Sequence, residues 1–143
     1  MPVFPDARVL HIDITGPDRS GVTHALTSIL ARSGVRVLDI GQAVIHDALA
    51  LGMLVELTDD LRASSLLTDL LLQAHELGVQ IRFTAASGDD YQTWVSGQSK
   101  ARYLVSVLGR VLTAAHLAEV SGAIAAAGLN IDRIDRLSER SSI

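Results

Sequence analysis

The run Gly16-Pro17-Asp18-Arg19-Ser20-Gly21 separates two patterns that cannot belong to one element. Before it, Leu10, Ile12 and Ile14 alternate with His11, Asp13 and Thr15, the period-two pattern of a strand with one buried face. After it, Val22, Leu26, Ile29 and Leu30 follow the i, i+4, i+7, i+8 spacing of a helix with a single apolar stripe. A glycine-bracketed turn from strand to helix leaves backbone N–H groups at the positive end of the helix, where small anions and carboxylates are readily held.

The pattern continues in kind. Gly34 stands where a left-handed C-cap is expected. Val35–Ile45 is extended, but its alternation slips phase near Val37-Leu38, which predicts a bulge. His46-Asp47 turns the chain into Ala48–Leu57, where Leu49, Leu51, Met53, Val55 and Leu57 alternate with Ala48, Ala50 and Gly52, so the pair reads as an antiparallel hairpin. Thr58-Asp59-Asp60 supplies helix-start chemistry, and Leu66, Leu67, Leu70, Leu71, Ala74 and Leu77 form a second stripe ending at Gly78. Val79, Ile81 and Phe83 give a last short strand. The order βαββαβ over residues 9–85 predicts an α+β, ferredoxin-like domain: an antiparallel sheet with two helices on one face. Its core must be aliphatic, because hydrophobic residues make up 48% of the chain and aromatic ones only 3%.

Residues 86–102, rich in Ser, Gly, Asp and Gln, read as a linker in which Tyr91 and Trp94 are expected to pack onto a domain surface. At Tyr103 the pattern restarts. Tyr103–Leu108 reads as a strand, Thr113 as an N-cap, Leu117, Val120 and Ile124 as a stripe, Gly128 as a C-cap and Leu129–Leu137 as a second strand. Gly16 and Gly34 align with Gly109 and Gly128, so residues 103–143 form a partial second repeat, βαβ. In a ferredoxin-like sheet the third strand lies between the first two. The two strands of the partial repeat are therefore expected to lack ladder partners, unless another chain completes them or the repeat distorts.

Composition removes several functions. Net charge is −4, from 16 acidic and 12 basic residues, and Lys100 is the only lysine, so neither nucleic acid nor an anionic membrane finds a basic stripe. There is no cysteine, hence no disulfide or thiolate metal site, and no apolar run approaches about eighteen residues; a cytoplasmic protein is expected. The turn Gly16–Gly21 has the outer spacing of a P-loop, but Val22-Thr23 replaces Lys-Ser/Thr and Asp18 repels a polyphosphate. His11-Ile12-Asp13-Ile14-Thr15 mimics an aspartyl-phosphatase signature with the nucleophile missing. The five histidines show no metal-ligand spacing, and no elbow or dyad for nucleophilic catalysis is present. The catalytic set is empty. What remains is Gly16, Asp18 and Gly21, whose structural alternative is a helix capped by Asp18, and Asn130, the only asparagine, whose alternative is a turn residue. Arg36 occupies the position of Asn130 in the first repeat.

Ile14–Val22 together with the βαββαβ outline resembles an ACT domain, a small module that senses amino acids. The run Gly128-Leu129-Asn130-Ile131-Asp132-Arg133-Ile134-Asp135-Arg136-Leu137-Ser138, with Tyr91-Gln92-Thr93-Trp94-Val95, Gly97-Gln98 and Asp39–His46, is more specific. It resembles the N-terminal tandem ACT region of bacterial phosphoserine phosphatases, enzymes of the haloacid dehalogenase type. The resemblance implies a regulatory region that stops before the catalytic domain, with Mg²⁺ and the aspartyl nucleophile belonging to the parent enzyme and no cofactor in this chain. It implies L-serine or a similar amino acid bound between ACT modules at Gly16, Asp18, Gly21, Gly109 and Asn130, and a homodimer or higher oligomer, strand-swapped in one variant. The alternatives are an ACT-only regulator resembling glycine-cleavage repressors, a formyltetrahydrofolate deformylase, and a ligand-free dimerisation module.

Overall fold

The computed structural model describes residues 8–57, 60–97 and 101–138. The chain divides into two units, Met1–Lys100 and Ala101–Ile143. In the first unit the order is β1 (Arg8–Pro17), α1 (Val22–Ser33), β2 (Arg36–Ile45), β3 (Ala48–Leu57), α2 (Asp60–Leu77), β4 (Gln80–Ala86) and α3 (Gly88–Gly97). The sheet order is β2-β3-β1-β4 and every neighbouring pair is antiparallel. This is the split-βαβ order expected of a ferredoxin-like α+β domain.

Alternation along the strands decides which face is buried. Leu10, Ile12 and Ile14 of β1 lie opposite Val55, Met53 and Leu51 of β3, and all six are buried. Val22, Leu26, Ile29 and Leu30 of α1 and Leu66, Leu70 and Ala74 of α2 close over them in one aliphatic cluster. The opposite face stays open. There His11 Nε2 lies 3.2 Å from Asp13 Oδ1, and Arg82 Nη2 of β4 lies 4.0 Å from Asp13 Oδ2. The phosphatase-like spelling of β1 is thus ordinary strand alternation, with a solvent-facing polar cluster between the core residues.

The predicted bulge is present: the β2–β3 register shifts between Val37 and Asp39. It rotates the following residues so that Ile40, Gln42 and Val44 share the helix-side face with Met53, Leu51 and Leu49. The hairpin turns through His46, at φ 56°. Helix α2 ends on Gly78, at φ 70°, where the Gly78 and Val79 N–H groups donate to the carbonyls of His75 and Ala74. Thr58 and Asp59, read as the start of that helix, lie outside the described residues.

Two expectations need correction. Leu71 does not belong to the buried stripe of α2; it is 50% exposed, because Leu70 already occupies the sheet-facing direction one residue earlier. The segment read as a linker is not irregular, since α3 fills most of it. Ser87 and Asp90 cap that helix reciprocally: the Ser87 N–H donates to Asp90 Oδ2 at 3.2 Å, and the Asp90 N–H to Ser87 Oγ at 3.0 Å. Tyr91 and Trp94 pack against each other, ring centroids 5.9 Å apart, and Trp94 stays 41% exposed.

In the second unit α4 (Ala114–Ala126) starts with a capping box: Thr113 Oγ1 accepts from the His116 N–H, and the Thr113 N–H donates to His116 Nδ1. It ends at Gly128, at φ 74°. Residues 103–108 and 129–137 form no strand among the described residues.

Burial separates the leucines sharply enough to test. Leu26→Ala should destabilise the first unit by about 2–4 kcal/mol, while Leu71→Gln should stay within about 0.5 kcal/mol, both read from urea unfolding.

Candidate ligand-binding turn

Three tertiary contacts hold the Gly16–Gly21 turn. The Asp18 N–H donates to the carbonyl of Asp47, in the β2–β3 turn, at 2.6 Å. A Cβ on Gly16 would stand 2.9 Å from Val79 Cγ1 and 3.0 Å from Val79 Cα, so the residue leading into β4 packs directly on the glycine backbone. The Arg19 guanidinium reaches the C-terminal end of α2, where a Cβ on Gly78 would stand 3.3 Å from Nη2; a cation is favourable at that end of a helix. The turn is therefore pinned by the hairpin, by β4 and by the end of α2 together.

These contacts do not consume the donors at the start of α1. Gly21 is the N-cap, at φ 88°, and no side chain caps the helix. The Ala25 N–H donates to the Gly21 carbonyl at 2.9 Å and the Val22 N–H to that of Arg19 at 3.4 Å. Among the described residues, no acceptor pairs with the N–H groups of Gly21, Thr23 or His24. Asp18 is exposed beside them and its carboxylate does not cap the helix, so the structural alternative considered for it fails. Thr23 Oγ1 donates to Gln42 Oε1 of β2 at 2.7 Å, tying the first turn of α1 to the edge strand. Gln42 was not singled out from the sequence as a site residue. Its only signal is that it lies within the Asp39–His46 resemblance.

The structure thus brings Gly16, Asp18 and Gly21 into one turn, each in a different role. Gly16 is a packing glycine, Gly21 a conformational one, and Asp18 alone presents a side chain. Gly109 and Asn130 belong to the second unit and are exposed there. In the first unit the position matching Asn130 is committed elsewhere: Arg36 Nε lies 3.7 Å from Glu56 Oε2, and Glu56 is buried and directly opposite on β3. Among the described residues no group of three His, Asp or Glu could hold a metal ion. No helix among them is long and apolar enough to cross a membrane.

Comparison with known proteins adds to this geometry. An ACT domain profile matches residues 8–84, and a second ACT domain profile matches residues 101–141. The chain belongs to the ACT domain family. It is 35% identical over 129 residues to a phosphoserine phosphatase of Mycobacterium tuberculosis, covering 90% of this chain and 30% of that protein. It is also 35% identical over 139 residues to the phosphoserine phosphatase of Streptomyces coelicolor, covering 94% of this chain and 32% of that protein. The chain thus spans about a third of the length of these curated relatives. Among solved structures, an ACT domain protein from Streptococcus pneumoniae superposes with a TM-score of 0.50 at 22% identity, covering 57% of this chain and 92% of that one. A proposed glycine cleavage system transcriptional repressor reaches 0.54 at 20% identity, over 57% of this chain and 47% of that one. Both likenesses establish the ACT fold.

The two glycines of the first ACT turn should respond differently to a methyl group. Gly21→Ala meets open space and carries only the left-handed backbone cost, about 1–2 kcal/mol. Gly16→Ala must push back the Val79 backbone and should cost more, about 1–3 kcal/mol from overpacking alone. Thermal unfolding, with the Val79 amide resonance displaced only in Gly16→Ala, checks the distinction.

Proposed function

We propose that this chain is the amino-acid-sensing, self-associating regulatory region of a cytoplasmic phosphoserine phosphatase of L-serine biosynthesis, with L-serine as its ligand. The observation that carries the reading is the α1 N-terminus, where the N–H groups of Gly21, Thr23 and His24 lack acceptors and an exposed Asp18 stands beside them. A zwitterionic amino acid matches this arrangement. Its carboxylate accepts from the helix N–H groups, and Asp18 receives its ammonium. A polyphosphate does not match, because Asp18 would face its charge. The 35% identity to two phosphoserine phosphatases supports serine, the product of that reaction, as the amino acid.

Gly109 is the second repeat's counterpart of Gly16, and Asn130 its early β2 position. An amide can donate to a carboxylate and accept from an ammonium at once. In an assembly, Asn130 meets a ligand held by the glycine turn of a facing ACT module in another copy. Arg36, paired with Glu56, does not do this for the first domain, so the two modules contribute unequally. A ligand held between modules stabilises whichever assembly contains its site, and this couples serine to a distant reaction. In this reading these residues perform no catalysis, and the aspartyl nucleophile and Mg²⁺ belong to the parent's catalytic domain.

Calorimetric titration with L-serine should give saturable heat, and serine at a hundred times its Kd should stabilise the protein by about 2.7 kcal/mol. Asn130→Ala and Gly109→Val should abolish the heat while leaving the unfolding of the first domain unchanged. Unaltered affinity in both variants refutes the role of the second module. Absence of heat and of any thermal shift at millimolar serine makes the chain a ligand-free association module.

A further inference from the structure

The first turn of α1 carries free hydrogen-bonding capacity on side chains as well as on the backbone. Thr23 Oγ1 donates to Gln42 Oε1 at 2.7 Å, which joins the start of α1 to the middle of β2. The bulge in β2 puts Gln42 there: past the register shift it lies opposite the buried Leu51, on the helix side of the sheet. Among the described residues neither side chain has a further hydrogen-bonding partner. Thr23 is half-buried and Gln42 exposed, so the pair is open to solvent beside the helix start.

Chemistry fixes what this pair leaves unused. With Thr23 Oγ1 donating, its own lone pairs and the Gln42 Nε2 hydrogens are left over. Turning the amide round exchanges the roles, and a donor and an acceptor still remain side by side. An apolar group satisfies neither, a carboxylate only the donor and an ammonium only the acceptor. A hydroxyl or a carboxamide satisfies both. Thr23 selects between them, because its N–H, without an acceptor, and its Oγ1 are borne on neighbouring carbons. Serine bears its carboxylate and its hydroxyl on neighbouring carbons too, whereas the amide of asparagine lies one carbon further out.

We propose that Thr23 and Gln42 read the side-chain hydroxyl of the bound amino acid and so select serine over alanine. The inference rests on the ligand reading above, in which the N–H groups of Gly21, Thr23 and His24 hold the carboxylate. The ligand hydroxyl donates to one member of the pair and accepts from the other. Alanine in the same pose displaces water from both and returns no hydrogen bond. Because the pair is exposed, water recovers part of that loss, and the discrimination is about tenfold in affinity. The second repeat has no such pair. Gly16 aligns with Gly109 and Arg36 with Asn130, which sets His116 against Thr23 and Arg136 against Gln42, and His116 Nδ1 already accepts from the Thr113 N–H. Hydroxyl recognition therefore belongs to the first module alone.

Serine and alanine differ by one oxygen atom, so the ratio of their affinities isolates the contact. Calorimetric titration of the 143-residue chain should give a Kd about tenfold lower for L-serine than for L-alanine. Gln42→Ala and Thr23→Val should bring that ratio to about one, and Thr23→Ser, which keeps the hydroxyl, should preserve it. A merely structural brace would weaken both amino acids together and leave the ratio standing. A ratio near one in the wild type, or one unchanged in Gln42→Ala, overturns the inference while serine binding itself persists. A ratio that survives Gln42→Ala but is lost in Asn130→Ala overturns it too, and assigns the hydroxyl to Asn130. Heat from neither amino acid removes the ligand reading and this inference with it.

Discussion

The first ACT domain depends on the position of β1, hydrogen-bonded to β3 on one side and to β4 on the other. Both neighbours come from distant parts of the chain, and both run antiparallel to β1 along its length. A strand paired on both edges has no free ladder groups, so its register with each neighbour sets where every other element ends. The carboxyl end of β1 therefore arrives beside the hairpin turn at Asp47 and the residue before β4, Val79. The glycine turn is built at that meeting point.

This placement explains why the turn is both rigid and open. Its outer backbone is held by Asp47, Val79 and the end of α2, each in a different element. Its inner side is the start of α1, where helix geometry itself leaves the first N–H groups without partners. An uncapped N-terminus next to an exposed carboxylate costs little in water. Under the function proposed above, its field would favour an anion that carries a cation toward Asp18, a zwitterion rather than a phosphate.

The two ACT repeats share a pattern and differ in circumstance. In the first, β3 and α2 supply the partner half within the same unit, and the aliphatic face of β1 disappears into the core. In the second, equivalent residues stay exposed, and among the described residues the helix is the regular structure present. A helix satisfies its own backbone, whereas a strand requires a neighbour. The same asymmetry explains why Thr113 and Gly128 end the helix just where the local sequence places them.

Much of the fold was legible in the sequence, and the legible part was local. The alternation of β1 and β3, the stripe of α1, the phase slip at Val37-Leu38 and the glycines ending the helices are all short-range statements, and each appears in the structure. The capping box Ser87–Asp90 was equally local, but the polar composition around it hid the helix. The candidate turn was also visible from its glycines. What only the tertiary structure decided was the reason for each residue in it: that Gly16 yields to Val79, that the Asp18 N–H is spent on Asp47 while its carboxylate is not, that Gln42 braces Thr23, and that Leu71 faces water. Each depends on a contact between segments far apart in the chain, and period and propensity carry no information about which distant atoms will meet.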